Sequence, residues 1–196
     1  MRMTKDRRVQ KTRKGLHDAL ISLLLEMNYD SLTIQQILDR ANVGRSTFYT
    51  HFTDKDELLL SGIHDLQSTL ASVHQREKAS AKGHESIVAF SRAMFEHAYA
   101  YRDVYHALLR TQVWPRVRQC IQDYLTELIR QECKAEIHRL KEASADVPVD
   151  LFVHFLASTF MSVLTWWRDR RSRLSPQQID EVFRSLVLPS IDAALG

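Results

Sequence analysis

Between Gln35 and Tyr49 the sequence sets four side chains whose ends match the edges of base pairs. Arg45 carries a planar fork of donors that can hold guanine O6 and N7 together, and Gln35 offers the donor and acceptor that adenine requires. Thr47 and Tyr49 bring apolar surface suited to a thymine methyl. The chemistry such a set supports is recognition, not bond making. Catalytic signatures do not accompany it: there is no G-x-S-x-G, no paired-carboxylate motif in a defined context, and no glycine-rich phosphate loop among the five glycines of the 196 residues. The chain is therefore not expected to be an enzyme. His17, His51, His64, His74, His84, His97, His106, His138 and His154 are dispersed without H-x-x-x-H or H-E-x-x-H spacing, so no metal and no cofactor is expected. Cys120 and Cys133, read as sharing one helix, would lie about 20 Å apart and cannot bridge. They fit a reduced, cytoplasmic chain.

The elements that must position these residues read as helices throughout. Leu16, Ala19, Leu20, Leu23 and Leu24 recur at three- and four-residue spacings, predicting a first helix from near Lys5 to Met27 with one buried stripe. Asn28 then supplies a left-handed cap. Thr33 and Gln36 have the form of a capping box, opening a second helix from Ile34 to about Ala41. Asn42 is suited to the left-handed turn that follows, and a third helix fits Arg45 to His51. Phe48 and Phe52 make its core stripe, leaving Arg45, Ser46, Tyr49 and Thr50 on other faces. Two short helices joined so tightly form a helix-turn-helix. Asp54 and Asp56 sit where a fourth helix begins, as the helix dipole prefers, and that helix extends to about Gln75. Further helices are expected at about 84–100, 101–111, 114–141, 149–170 and 177–194, with Ser175 and Pro176 as N-cap and first helical residue of the last. No alternating strand pattern of useful length is present.

Charge is unevenly placed. Residues 1–15 hold Arg2, Lys5, Arg7, Arg8, Lys11, Arg13 and Lys14 against Asp6 alone, a net +6, so the whole-chain +3 leaves −3 for the remaining 181 residues. A basic arm ahead of a mildly acidic body suggests electrostatic contact at one end, with nucleic acid or an anionic surface as partner. The arm lacks the bulky aromatics of a membrane anchor. Leu151 to Trp167 is the most apolar stretch, but His154, Ser158, Thr159, Ser162 and Thr165 interrupt it. It reads as a helix buried on most sides, not as a membrane span.

At residues 33–59, TIQQILDRANVGRSTFYTHFTDKDELL, the sequence resembles the TetR family of transcriptional regulators. Thr33, Ile37, Ala41, Val43, Thr47, Phe48, Tyr49, His51, Phe52, Lys55 and Leu58 match in register. Leu38 stands where a small alanine is common, and Asn28 and Asn42 stand where glycine is common. The resemblance implies an all-α fold: an N-terminal three-helix helix-turn-helix domain over residues 1–53, a connecting helix over 54–75, and a helical ligand-binding and dimerisation domain over 76–196. It implies that Gln35, Arg45, Ser46, Thr47 and Tyr49 approach base edges, and that Thr33, Thr50, His51 and Lys55 hold phosphates.

It further implies a homodimer on a double-stranded DNA operator, released by a small-molecule inducer. Phe90, Met94, Tyr99, Tyr105, Trp114, Val117, Tyr124 and Phe155 are candidates to line the inducer pocket, and their composition favours an apolar or amphipathic ligand. The last two helices carry more apolar surface than one subunit easily covers, so they are expected to pair with their copies. The expected function is a ligand-responsive repressor. An inducer-independent architectural or division-control protein of the same fold is the alternative.

Overall fold

Each helix of the structure starts or stops at a feature that the local sequence supplies. The computed structural model describes residues 2–63, 83–132, 147–169 and 172–195, and among them there are helices and turns but no strand. The helices are α1 (Arg2–Leu24), α2 (Ile34–Ala41), α3 (Arg45–Tyr49), α4 (55–63), α5 (Ser91–Ala100), α6 (Arg102–Leu108), α7 (Trp114–Glu132), α8 (Val149–Asp169) and α9 (Pro176–Leu195). The far end of the expected connecting helix, the boundary near residue 76, Cys133 and the end of the helix expected to reach 141 lie outside the described residues.

The chain divides into two compact units, one formed by Met1–Leu66 with Tyr101–Arg118, the other by Gln67–Ala100 with Gln119–Gly196. By contact, residues 101–118 group with the helix-turn-helix. In this first unit Leu16, Leu20, Ile37, Phe48, Phe52 and Leu58 form a shared core. Each such side chain contributes about 1.5–3 kcal/mol through burial. Leu38 is buried as well.

Two caps bound α2. Thr33 Oγ1 accepts the Gln36 N–H at 3.3 Å while the Gln36 side chain takes the Thr33 N–H at 2.9 Å, which completes the capping box. At the other end Asn42 is left-handed, with φ 51° and ψ 48°, and Val43 N–H returns to the Leu38 carbonyl at 3.1 Å. Asn28 departs from expectation: it is extended, with φ −67°, and its side chain accepts the Asp30 N–H at 2.7 Å. α1 ends at Leu24, and Asn28 immediately precedes a 3-10 turn, Tyr29–Ser31, so this position caps a beginning instead of closing an end.

In the second unit a single expected helix at 84–100 is instead a 3-10 segment, Gly83–Val88, followed by α5. The Val88 carbonyl accounts for the break, because it accepts from Ser91 Oγ at 2.7 Å and Arg184 Nη2 at 3.3 Å. Buried Asp180 binds both of those side chains, Ser91 through its hydroxyl and Arg184 through Nε at 2.9 Å, and so ties α5 to α9. Around this knot Phe90, Phe95, Phe160 and Phe183 meet in tilted and edge-to-face pairs with ring centroids 4.7–6.4 Å apart. The start of α9 is as the sequence predicts: Ser175 caps Gln178 N–H at 3.2 Å and Pro176 is the first helical residue. α8 is long and apolar enough to cross a membrane by length and composition. It is buried on one face, through Phe152, Val153, Leu156, Ala157, Phe160, Met161 and Leu164, and not on most sides.

Candidate nucleic-acid interface

The helix-turn-helix is built so that one face of α3 is anchored and the other is free. Phe48 is fully buried and meets Phe52 with ring centroids 5.8 Å apart. Because Phe48 faces inward, Arg45, Ser46, Thr47 and Tyr49 are left exposed around the remaining surface. Tyr49 retains 49 % of its surface, a large exposure for an aromatic ring, and the Arg45 guanidinium lies 6.0 Å from its centroid. A cation held over a ring loses part of its rotamer freedom before it meets any partner. Gln35 is also exposed on α2, with its amide donating to Asp39 Oδ1 at 2.8 Å.

The four residues expected to hold phosphates are placed less uniformly. Thr33 is committed to the capping box and Thr50 Oγ1 donates to the Ser46 carbonyl at 2.9 Å. His51 is half-buried, its ring centroid 6.2 Å from that of Phe52. Lys55 departs furthest from a free surface cation. Its Nζ donates to the Tyr29 and Leu32 carbonyls at 2.7 Å each and to the Asp30 carbonyl at 3.3 Å, and lies 4.6 Å from the Tyr29 ring centroid. This ammonium is the strut between the 3-10 turn and α4.

Other residues brace this surface. Arg40 on α2 grips Glu26 beyond α1 with two bonds, at 2.8 and 2.6 Å, and holds the Glu26 carboxyl below its ordinary value. Asp54 caps α4 by accepting the Glu57 N–H at 2.7 Å, and Glu57 Oε2 takes the Thr53 N–H at 2.6 Å. Asp56 accepts from the Tyr29 phenol, and burial first, then that bond, raises the phenol above its usual range. The basic arm forms the first turns of α1, with Arg7, Arg8, Lys11 and Lys14 exposed. Arg13 lies 5.0 Å from the Phe52 ring centroid, which fixes the inner end of the arm to the core.

A family comparison settles what carries this geometry. Residues 16–61 match the sequence model described as bacterial regulatory proteins, tetR family, and residues 85–188 match one described as transcriptional regulator C-terminal region. The chain belongs to the TetR family of transcriptional regulators. The uncharacterized HTH-type transcriptional regulator YxbF of Bacillus subtilis (strain 168) is 44 % identical over 55 residues, covering 28 % of this chain and 14 % of that one. The chain matches half or less of the length of the curated relatives it resembles. A TetR transcriptional regulator from Streptococcus agalactiae 2603V is 28 % identical, with a TM-score of 0.63 over 95 % of this chain and 99 % of that one. A complex of SmeT with triclosan shares the fold at 18 % identity, with a TM-score of 0.63 over 91 % and 90 % of the two chains.

In this TetR-family chain the expected inducer-pocket residues are divided between the units. Tyr105, Trp114 and Val117 belong to the first, and Phe90, Met94, Tyr99, Tyr124 and Phe155 to the second. Phe90 and Met94 are core residues, while Tyr99 packs on the Trp167 ring with centroids 6.2 Å apart. Phe155 keeps 42 % of its surface exposed and shares an outer stripe of α8 with Leu151 and Trp166. On α5, burial pushes His97 down to about 4. Among the described residues no group of histidines, cysteines and carboxylates could hold a metal ion.

Proposed function

We propose that this transcriptional regulator is a ligand-responsive repressor that binds a palindromic operator as a homodimer and leaves it when an inducer binds. The observation that carries the reading is the exposed polar face of Arg45, Ser46, Thr47 and Tyr49 on a helix anchored by buried Phe48. In the proposed mode these four and Gln35 approach base edges in the major groove, with Arg45 on guanine. Thr33, Thr50, His51 and, in competition with its carbonyl partners, Lys55 lie toward phosphates, and the basic arm adds salt-dependent affinity.

The dimer interface proposed is the outer face of α8 and α9. Leu151, Phe155, Trp166, Val182 and Leu186 remain exposed there, and pairing with a second copy would cover them. Inducer would favour a conformation in which the spacing of the two recognition helices no longer fits the operator, lowering affinity by its differential binding to the two states. SmeT, which shares the fold, forms a complex with triclosan, a fold-level precedent for a bound ligand. The work is non-catalytic and takes place in the cytoplasm, where the DNA is.

Selection of bound DNA from a random or genomic pool tests the reading. Enrichment of an inverted repeat with half-sites about 34 Å apart, or a multiple of it, is expected. A pool that stays unenriched, or an asymmetric single site, would overturn it.

A further inference from the structure

We propose that Gln122 on α7 is the polar anchor for the regulating small molecule, which is uncharged, mainly apolar and carries a hydrogen-bond acceptor such as a ketone oxygen. This rests on the ligand-responsive reading and deepens it. The side-chain Nε2 of Gln122 is buried and has no hydrogen-bond partner. Buried amides are nearly always paired, because the unpaired group has given up water for nothing, so an exception calls for a physical reason. A ligand oxygen that arrives only when the regulator is occupied supplies one.

The neighbours of Gln122 do not serve it. One turn on, Thr126 Oγ1 donates to the Gln122 backbone carbonyl at 2.8 Å, away from the side-chain amide. One turn back, Gln119 spends its amide on Asp123 at 2.7 Å. The surroundings also set the class of ligand. On the face of α7 that Gln122 shares, Leu125 and Ile129 are buried. A charged ligand would lose its hydration there unless a counter-charge met it. The cations of α7 are turned elsewhere: Arg116 pairs with Asp56 at 2.7 Å, Arg130 with Asp150 at 3.0 Å, and Arg118 is exposed. What the site offers is an apolar wall and one amide donor.

The test uses matched pairs that differ by a carbonyl: acetophenone with ethylbenzene, benzophenone with diphenylmethane, and cyclododecanone with cyclododecane. Binding to the protein is measured by calorimetry for the wild type, Gln122→Met and Gln122→Asn. At least one ketone should bind the wild type about tenfold more tightly than its hydrocarbon, the factor that one buried hydrogen bond supplies. Gln122→Met should keep the hydrocarbon affinity and lose that preference, and Gln122→Asn, whose amide is one methylene shorter, should weaken it. Without ligand, Gln122→Met should melt about 2–4 °C above the wild type, because an unpaired donor has been removed. A lower midpoint for Gln122→Met means that a trapped water already satisfies the amide, and it overturns the proposal. So does a variant that retains the ketone preference, or a wild type that binds ketones and hydrocarbons alike or binds none of them. The operator selection is independent of these outcomes, so failure of the site and failure of the regulatory reading are told apart.

Discussion

The phenol of Tyr29 donates to Oδ1 of Asp56 at 2.6 Å, while Arg116 Nη1 closes on Oδ2 of the same carboxylate at 2.7 Å. Beside them, Asp30 accepts the Gln112 N–H at 3.2 Å, so two carboxylates join the 3-10 turn and α4 to residues 112–116 within the first unit. The two partners of Asp56 differ in what they lose without it. Tyr29 is 1 % exposed and its hydroxyl would be left buried and unpaired, whereas the Arg116 side chain is 57 % exposed and returns to water. Asp56→Ala should therefore cost about 1–3 kcal/mol and Arg116→Ala about 1 kcal/mol or less, read from urea unfolding of each. Equal costs would mean that the ion pair, not the buried hydrogen bond, carries the contact.

Acid stability should depend on His97. Burial holds its folded value near 4 against an ordinary 6.5, so the unfolded chain binds more protons in the interval between them. Stability rises with pH across that window: the contribution is present above 6.5 and is lost as pH falls toward 4. The whole step is about 3 kcal/mol at most. Replacing His97 with glutamine should flatten the unfolding free energy between those limits. A slope that survives the substitution assigns the protons to other groups.

Local signals account for much of the first unit. The α2 bounds follow from a capping box and a left-handed asparagine, both of which act within a few residues, and the buried stripe of α1 follows from its spacing. Asn28 shows where local reasoning stops. A residue type that tolerates left-handed geometry is present, but the next element begins at once and uses the side chain as an N-cap. Lys55 shows the same on a longer scale, since the carbonyls that hold it come from residues more than twenty positions earlier. The Asp180 knot, the bracing of Arg40 by Glu26 and the unpaired amide of Gln122 likewise depend on tertiary placement that no spacing encodes. Pocket candidates drawn from an aromatic-rich set on the central helices mix core, surface and half-buried positions for the same reason.

Arg45→Ala should weaken binding to the selected operator by about 1–3 kcal/mol and relax the preference at one base pair in each half-site. The discriminating measurement is a set of single-base operator variants titrated with both proteins. Uniform weakening across every variant would make Arg45 a phosphate contact and move sequence reading to Tyr49 and its neighbours.

The arm should act through ion release. Deleting residues 2–8 removes Arg2, Lys5, Arg7 and Arg8 with Asp6, and leaves Arg13 in place over Phe52. The slope of log affinity against log salt should become shallower by about 0.9 for each phosphate that the shortened arm no longer neutralises. Base preferences should stay as they were. An unchanged slope would leave the arm without a part in DNA binding.

Association through α8 and α9 predicts that one exposed apolar residue decides the oligomeric state. Leu186 is 56 % exposed in the protomer, so glutamate there disturbs little within the unit. In a two-fold interface the substitution occurs twice, and each new charge must either lose its hydration against the apolar face of the partner or meet its own copy. Leu186→Glu should therefore run as a monomer by light scattering at micromolar concentration, with helicity and melting retained. Two recognition helices are then no longer linked, and affinity should fall to that of a single half-site. A variant that remains dimeric would place the interface elsewhere on the chain.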